Sequence, residues 1–329
     1  MVFNTFAGRK SGGGSMFDRC SWLCVLVCIL ISVQAIAGAT EQGVVRIGYQ
    51  KYSALYLLKL NGDLDRRLAT TGHRIAWAEF QYGVPMLEAL NVGQLDFATT
   101  GETPPVLAQS RIGSEIVYVG QEPPSPQSEG ILVHSNSAIK KVEDLRGKRV
   151  AVAKGTNVHY LLLRVLEKAS LLPEEIQWVF LSPGDAGAAF RNRSVDAWAI
   201  WDFQKAVTER QLGAKTLVDG QGLVQNFECY TSRASFVTQH IEIIKIVLDE
   251  LTRIDAWITA HPNVAAEILS KELGIDSDTL LLAYGRRRFG AGATTPALLE
   301  NQRKIEDILF EQHLIPAQVD VTSAFTLIN

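Results

Sequence analysis

The sequence predicts an α/β fold, with a mostly parallel sheet flanked by helices in each of two similar lobes. Three observations predict it. Short apolar runs alternate with helical stretches along residues 44–119 and again along 150–219, the rhythm of parallel strands joined by crossover helices. An extended segment, 121–128, carries Pro123, Pro124 and Pro126 and separates the two series. Residues 89–96, Ala-Leu-Asn-Val-Gly-Gln-Leu-Asp, resemble residues 189–196, Ala-Phe-Arg-Asn-Arg-Ser-Val-Asp. Each copy reads as a helix end, a tight loop and a strand that opens on aliphatic-Asp, as expected of two lobes built to one plan.

The chain opens on an export signal. Arg9, Lys10 and Arg19 give a positive start, residues 22–33 are almost wholly apolar, and Ala35-Ile36-Ala37 and Ala37-Gly38-Ala39 are small-x-small cleavage patterns. Residues 1–37 are therefore assigned as a cleaved signal peptide, with Met16 as an alternative start. The apolar run is short for a membrane span, and no second run of spanning length follows.

The mature chain then reads in order as strand 44–49, helix 53–60, strand 74–80, helix 84–92 with Pro85 in its first turn, and strand 95–99. Gly101-Glu102-Thr103-Pro104-Pro105 turns into a helix over 106–111, and a strand follows at 116–119. After the proline segment come strands at 130–134 and 150–153. The stretch 150–169 is the clearest unit. A strand turns through Lys154-Gly155-Thr156-Asn157 into a helix whose Val158, Leu161, Leu162, Val165, Leu166 and Ala169 share one stripe. Strands at 177–181, 196–201 and 216–219 alternate with helices after Ser182-Pro183 and after Asp202. An extended run at 227–232 leads into helices at 241–260, 264–273, 278–288 and 297–311. The extended runs near Gly130 and Phe227 are read as two crossings between lobes. Lobe 1 is then 40–130 plus 231–329, and lobe 2 is 131–230.

Composition is that of an ordinary globular protein, 47% hydrophobic and 20% charged. Leaving out Arg9, Lys10, Arg19 and Asp18 with the leader takes the formal charge from −3 to −5. No basic patch recommends nucleic acid. The run Arg286-Arg287-Arg288 reads as the solvated end of a helix, where cations suit the dipole, although one of the three could reach a ligand cleft. Of four cysteines, Cys20, Cys24 and Cys28 fall in the leader, so Cys229 alone remains in the mature chain. That excludes an internal disulfide and a cysteine metal framework. Cys229 lies in an apolar run and reads as a buried small side chain. No Gly-x-Ser-x-Gly elbow, His-Glu-x-x-His or phosphate loop is present.

In an open parallel sheet, ligands bind beyond the carboxyl ends of the strands. Four turns qualify: Gln50-Lys51-Tyr52, Thr100-Gly101-Glu102-Thr103, Gly155-Thr156-Asn157 and Trp201-Asp202. Each follows a strand and precedes a helix start, where unpaired N–H groups and the helix dipole favour an anion. The candidate ligand residues are Gln50, Thr100, Gly101, Glu102, Gly155, Thr156, Asn157, His159 and Trp201. Neutral donors dominate among them, which suits a small anion with a carbon tail. Trp198 and Trp201 are three apart in one strand and face opposite sides. Trp201, at the strand's end, is assigned to the cleft and Trp198 to the core. Asp202 reads as a helix cap. Glu102 would repel an anionic head, so it touches a ligand amine, acts through neighbouring amides, or is structural.

These residues resemble the aliphatic-sulfonate-binding proteins of bacterial ABC importers, relatives of the taurine- and nitrate-binding proteins. The resemblance runs from about residue 44 to 320. It is carried by Arg46-Ile47-Gly48-Tyr49-Gln50-Lys51, by residues 86–93, by Thr100-Gly101-Glu102-Thr103-Pro104-Pro105, and by Tyr118-Val119-Gly120 with Glu122-Pro123-Pro124. Asp144-Leu145-Arg146-Gly147-Lys148, Lys154-Gly155-Thr156-Asn157-Val158-His159 and Asp196-Ala197-Trp198-Ala199-Ile200-Trp201-Asp202 complete it. The resemblance implies a two-lobed class II periplasmic binding protein with two hinge crossings. Its ligand loops would fall on Gln50, Thr100 to Glu102, Gly155 to His159, and Trp201. It further implies a periplasmic monomer that needs no cofactor or metal, binds an alkanesulfonate and delivers it to a permease and its ATPase. Tyr52, Glu102 and Thr156 depart from the family's frequent Gly, Asp and Ser, which bears on the tail the site prefers. A taurine, nitrate or pyrimidine-precursor ligand on the same fold, an exported enzyme and a ligand sensor are the alternatives. The cysteine-rich motif of the fold's pyrimidine-synthesising enzymes is missing.

Overall fold

The computed structural model describes residues 43–325. The assigned signal peptide, residues 1–37, lies outside the described residues. Among the described residues, ten strands form two five-stranded sheets. The first holds β1 (Val44–Tyr49), β2 (Arg74–Glu79), β3 (Phe97–Gly101), β4 (Ile116–Gln121) and β10 (Glu228–Arg233), in the order β2-β1-β3-β10-β4. The second holds β5 (Glu129–Val133), β6 (Arg149–Val152), β7 (Gln177–Phe180), β8 (Ala197–Trp201) and β9 (Lys215–Asp219), in the order β7-β6-β8-β5-β9. The two orders correspond strand for strand, so the lobes share one plan.

Both sheets are mixed. β1 pairs parallel with β3, and β6 pairs parallel with β7 and β8, whereas β10 and β5 run antiparallel to both their neighbours. The cause is topological. Strands joined by crossover helices all point their carboxyl ends at one edge. A chain that leaves one lobe at that edge enters the other from the same side. The first strand it forms there therefore runs the opposite way.

The repeat seen in the sequence is the structural staple of each lobe. In the first lobe, Arg46 donates from its backbone N and from Nε to Asp96 Oδ2, both at 2.9 Å, and from Nη2 to Oδ1 at 2.7 Å. In the second, Arg149 repeats all three bonds to Asp196 at 2.9, 3.1 and 2.9 Å. Asp96 N–H and Asp196 N–H each return a bond of 2.8 Å to the carbonyl of their arginine. These forked bonds fix the register of the edge where β1 meets β3, and β6 meets β8. The loop before each aspartate closes through a left-handed residue, Gly93 at φ 77° and Arg193 at φ 58°.

Helices α1 (Ala54–Asn61), α2 (Asp63–Ala69), α3 (Gly83–Asn91) and α4 (Thr103–Gln109) belong to the first series, and α5 (Asn157–Lys168), α6 (Pro183–Arg191) and α7 (Gln204–Leu212) to the second. The sequence predicts one helix here, ending at residue 60. Gly62 at φ 70° ends α1 there, and α2 starts afresh with Asp63 and Asp65 at its positive end. The stripe of α5 buries Val158, Leu161, Leu162, Val165 and Leu166 against Ile131, Val150 and Val152. Each such side chain contributes about 1.5–3 kcal/mol, which makes α5 a firm mount for the turn at its head.

After β10 come α8 (Ala234–Gln239), α9 (Ile241–Ala260), α10 (Pro262–Leu273), α11 (Ser277–Tyr284) and α12 (Pro296–Glu311). α9 and α10 pack Ile244, Val247, Leu251 and Leu269 into the core of the first sheet, with Val45 and Ile47. α12 divides its contacts. Ile305 and Leu309 join the core of the second sheet, while Leu298 packs with Tyr118 and Cys229 of the first. The last long helix thus ties both lobes instead of returning to the first alone. Among the described residues no helix is long and apolar enough to cross a membrane.

Candidate functional site

A cavity of ≈ 80 Å³ opens where the carboxyl ends of both sheets meet. One water needs about 10–15 Å³ on the same measure, so a guest of a handful of heavy atoms fits. Six of the nine candidate residues line it: Gln50, Thr100, Gly101, Thr156, Asn157 and Trp201.

The head of α5 is its organising element. Asn157 Oδ1 accepts a bond of 3.1 Å from Thr103 N–H, at the head of α4 in the other lobe. Its Nδ2 donates to Asn226 Oδ1 at 2.6 Å. Asn226 Nδ2 in turn donates to Ser125 O at 3.0 Å and Ser128 Oγ at 2.9 Å. One amide therefore joins the two helix heads to both crossings. Gly101 permits this approach, because a Cβ there would overlap the Asn157 amide. Gly83 plays the same part for Thr100, whose Oγ1 is buried and without a partner. Thr156 Oγ1 donates to Ala153 O at 2.7 Å and shapes the turn. Tyr52 closes over Gln50, its hydroxyl donating to Gln50 Oε1 at 2.7 Å. Trp201 lines the cavity and Trp198 is buried in the second lobe, the division their strand positions predict.

Glu102, Gly155 and His159 do not line the cavity. Glu102 is fully buried behind it and accepts from Phe227 N–H at 2.8 Å and Asn301 Nδ2 at 2.9 Å. Burial pushes its pKa up to about 7, against the opposing pull of those bonds. It braces the second crossing against α12, so the structural option is the one that fits. Gly155, at φ 76°, makes the turn; a Cβ there would run into Leu107. Its N–H donates to His159 Nδ1 at 3.1 Å. His159 packs edge-on against Trp178 and Phe180, and burial, with Lys154 nearby, pushes its pKa down to about 4. The reason is angular. Two residues along a helix turn the side chain by about 200°, so Asn157 facing the cavity sends His159 to the far side.

The solvated reading of the arginine run fails for two of its three members. Past the end of α11 the chain turns inward. Arg287 lines the cavity and grips Glu122, with Nε to Oε2 at 3.1 Å and Nη2 to Oε1 at 2.9 Å. Tyr230 also donates its hydroxyl to Glu122, at 2.8 Å. Burial opposes the charge on Arg287, but Glu122 and Glu228 outweigh it and hold its pKa above the ordinary value. Arg286 bridges from this segment to Asp202 at 3.3 Å and to Glu209 at 2.5 Å in the second lobe. Asp202 also accepts Ala206 N–H at 3.0 Å, from one residue before the N-cap position, which Phe203 holds in place of the expected Asp202, and lines the cavity as well. Burial pushes its pKa up to about 6.

Sequence reasoning missed Glu129 and Glu228, and held Arg287 only as one of three arginines that could reach a ligand cleft. Glu228 accepts from Thr99 Oγ1 at 2.6 Å and stands 3.9 Å from Arg287 Nη2. Burial raises its pKa. The signal that could have found them is the set of acids at strand ends, Glu122, Glu129 and Glu228, which need a buried counter-charge from elsewhere in the chain. With Arg287 committed to Glu122, the neutral donors left at the cavity are the amides at the head of α5, Thr100 and Gln50; the head of α4 adds none, since Pro104 and Pro105 carry no N–H and Thr103 N–H is bonded to Asn157. Cys229 is buried and its thiol pushed well up by that burial. Among the described residues no group of three or more His, Cys, Asp or Glu side chains could hold a metal.

Comparison with known proteins agrees with this fold. The NMT1/THI5-like family profile matches residues 81–265. A protein of Escherichia coli K12 named for binding aliphatic sulfonates is 38% identical over 296 residues, which span 88% of this chain and 91% of that protein. Among solved structures, the alkanesulfonate-binding protein SsuA from Xanthomonas axonopodis pv. citri, bound to MOPS, superposes with a TM-score of 0.82 at 35% identity. That match covers 87% of this chain and 99% of that one. The periplasmic aliphatic sulphonate binding protein SsuA from Escherichia coli gives a TM-score of 0.78 at 36% identity, over 87% and 98% of the two chains.

Proposed function

Because the chain belongs to the NMT1/THI5-like family and, within it, to the aliphatic-sulfonate-binding proteins, we propose that it is the substrate-binding component of an ABC importer, taking an alkanesulfonate between its two lobes and presenting it to the membrane permease. The observation that carries the reading is the head of α5 opening on the cavity, with Thr100 Oγ1 buried there and unpartnered. A sulfonate has three acceptor oxygens and no donor, which suits such a set. The site is taken as Gln50, Thr100, Gly101, Thr156, Asn157 and Trp201, with Trp201 and Tyr52 against the tail.

The finer parts of the proposal follow from this role. The leader, residues 1–37, is removed on export to the periplasm. Lobe 1 is 40–130 plus 231–329 and lobe 2 is 131–230, with α12 bridging them. The protein works as a monomer with the permease and its ATPase, without cofactor, and performs no reaction. Support for the last point is that the Cys229 thiol is buried and His159 Nδ1 is occupied by a backbone N–H. A second reading, an amine-bearing sulfonate of the taurine type, is favoured by the Glu228 carboxylate on the cavity wall. Thermal-shift screening of the mature protein against alkanesulfonates, taurine, nitrate and sulfate tests both. A shift with alkanesulfonates is expected; no shift with any sulfonate overturns the proposal.

A further inference from the structure

Glu129 is the cavity residue for which the site described above has no use. It opens β5, is wholly buried, and lines the cavity. Neither of its carboxyl oxygens has a hydrogen-bond partner. It stands directly opposite Trp201 in the antiparallel β5–β8 ladder, so the two side chains rise on the same face, with Cβ atoms about 4.5–5.5 Å apart. Trp201 Nε1–H is buried too, beside the Tyr52 hydroxyl but without a well-formed bond. Two neighbouring polar groups, one on each central strand of the second lobe, are thus left open at the same cavity.

A buried carboxylate with no partner costs several kcal/mol. The charged and titratable groups around Glu129 do not relieve it. Glu102, at the end of β3, adds repulsion, and Tyr160 on α5 feels both acids. Lys205 on α7 attracts, but its Nζ donates to Gln127 O at 2.7 Å instead. Across the cavity, Arg287 is committed to Glu122, Asp202 to Arg286, and Glu228 to Thr99. Burial accordingly pushes the Glu129 pKa well above the carboxylate range. A carboxyl that keeps its proton is a hydrogen-bond donor.

We propose that Glu129 is a specificity-determining residue that meets the guest as an un-ionised carboxylic acid and donates its proton's hydrogen bond to an oxygen of the anion, beside the Trp201 N–H. This inference rests on the sulfonate reading and deepens it. The site then selects a fully ionised head that only accepts, and capture is linked to proton binding. The sign follows directly. The protonated protein is the competent form, so affinity is full at low pH. It falls by about tenfold per pH unit once pH exceeds the pKa of Glu129 in the free protein.

The test is calorimetric titration of the mature protein with methanesulfonate from pH 5 to 9, in buffers of different ionisation enthalpy, for the wild type, Glu129→Gln and Glu129→Ala. The wild type is expected to lose affinity with rising pH and to take up a proton on binding in that range. Glu129→Gln keeps a donor and is expected to bind with a flattened profile. Glu129→Ala is expected to lose about tenfold or more at low pH, with circular dichroism checking its fold. A wild-type profile that is flat, without proton uptake, overturns the inference while leaving the sulfonate reading standing. So does a Glu129→Gln profile as steep as wild type, which assigns the titration to Glu102, Asp202 or Glu228. Absence of methanesulfonate binding at every pH overturns both.

Discussion

Asn157→Ala tests the site at its most connected point. The Asn157 amide makes two bonds that cross between elements, to Thr103 N–H and to Asn226 Oδ1. Losing the second removes about 1 kcal/mol of net hydrogen bonding. Losing the first leaves the fully buried Thr103 N–H without an acceptor, at about 1–3 kcal/mol. The sum is about 2–4 kcal/mol, and it falls on the closed arrangement alone. With the lobes apart, Thr103 N–H meets water, and each lobe keeps its own core. On the proposal that the guest is held between closed lobes, affinity should fall by roughly 30- to 700-fold, while the melting temperature of the free protein changes little. Calorimetric titration with an alkanesulfonate and a melt without ligand give the two numbers. Gly101→Ala sharpens the test. Its new methyl group would overlap the Asn157 amide, so it should cost affinity in the wild type and little in Asn157→Ala, a strongly non-additive cycle. Unchanged affinity in Asn157→Ala, or a loss of free-protein stability as large as the loss of binding, would refute the reasoning that this amide latches the closed form.

Three further outcomes are expected. His159 is held neutral, its pKa pushed from 6.5 to about 4 by burial. Its contribution is full above pH 6.5 and is lost as pH falls towards 4, an effect of about 3 kcal/mol. His159→Gln should therefore show a shallower loss of melting temperature between pH 6.5 and 4 than the wild type. Arg193→Gly should stabilise the protein by about 1 kcal/mol, because Arg193 occupies the left-handed position that Gly93 fills in the other lobe; a raised denaturation midpoint checks it. Arg287→Leu leaves Glu122 and Glu228 facing each other without a cation and should cost about 3–5 kcal/mol in chemical denaturation. Arg287→Lys should recover only part of that, since an ammonium cannot make the forked bond.

What was legible in the sequence, and what was not, divides by distance along the chain. The 150–169 unit was legible because strand, turn and helical stripe all speak within 20 residues, and the fold agrees with each. The internal repeat was legible as a resemblance between residues 89–96 and 189–196. Its purpose was not, because the partners that make it a staple, Arg46 and Arg149, stand about 50 residues upstream of their aspartates. Trp201 could be assigned from its place at a strand's end. His159 could have been excluded on the same local grounds, from its angle to Asn157 around the helix.

The acids are a different case. Glu122, Glu129 and Glu228 sit in apolar surroundings that forbid an unpaired charge, and that much is local information. Which of them keeps a charge depends on where Arg287 arrives, 165 residues after Glu122. It reaches Glu122 with three bonds and Glu228 at the edge of its range, and Glu129 receives nothing. One cation distributed unequally over three buried acids thus sets up a cavity wall with a neutralised end and an end that keeps its proton. An anion and its tail approach these two ends with different free energies, and the direction in which a guest lies in the cleft follows from that difference.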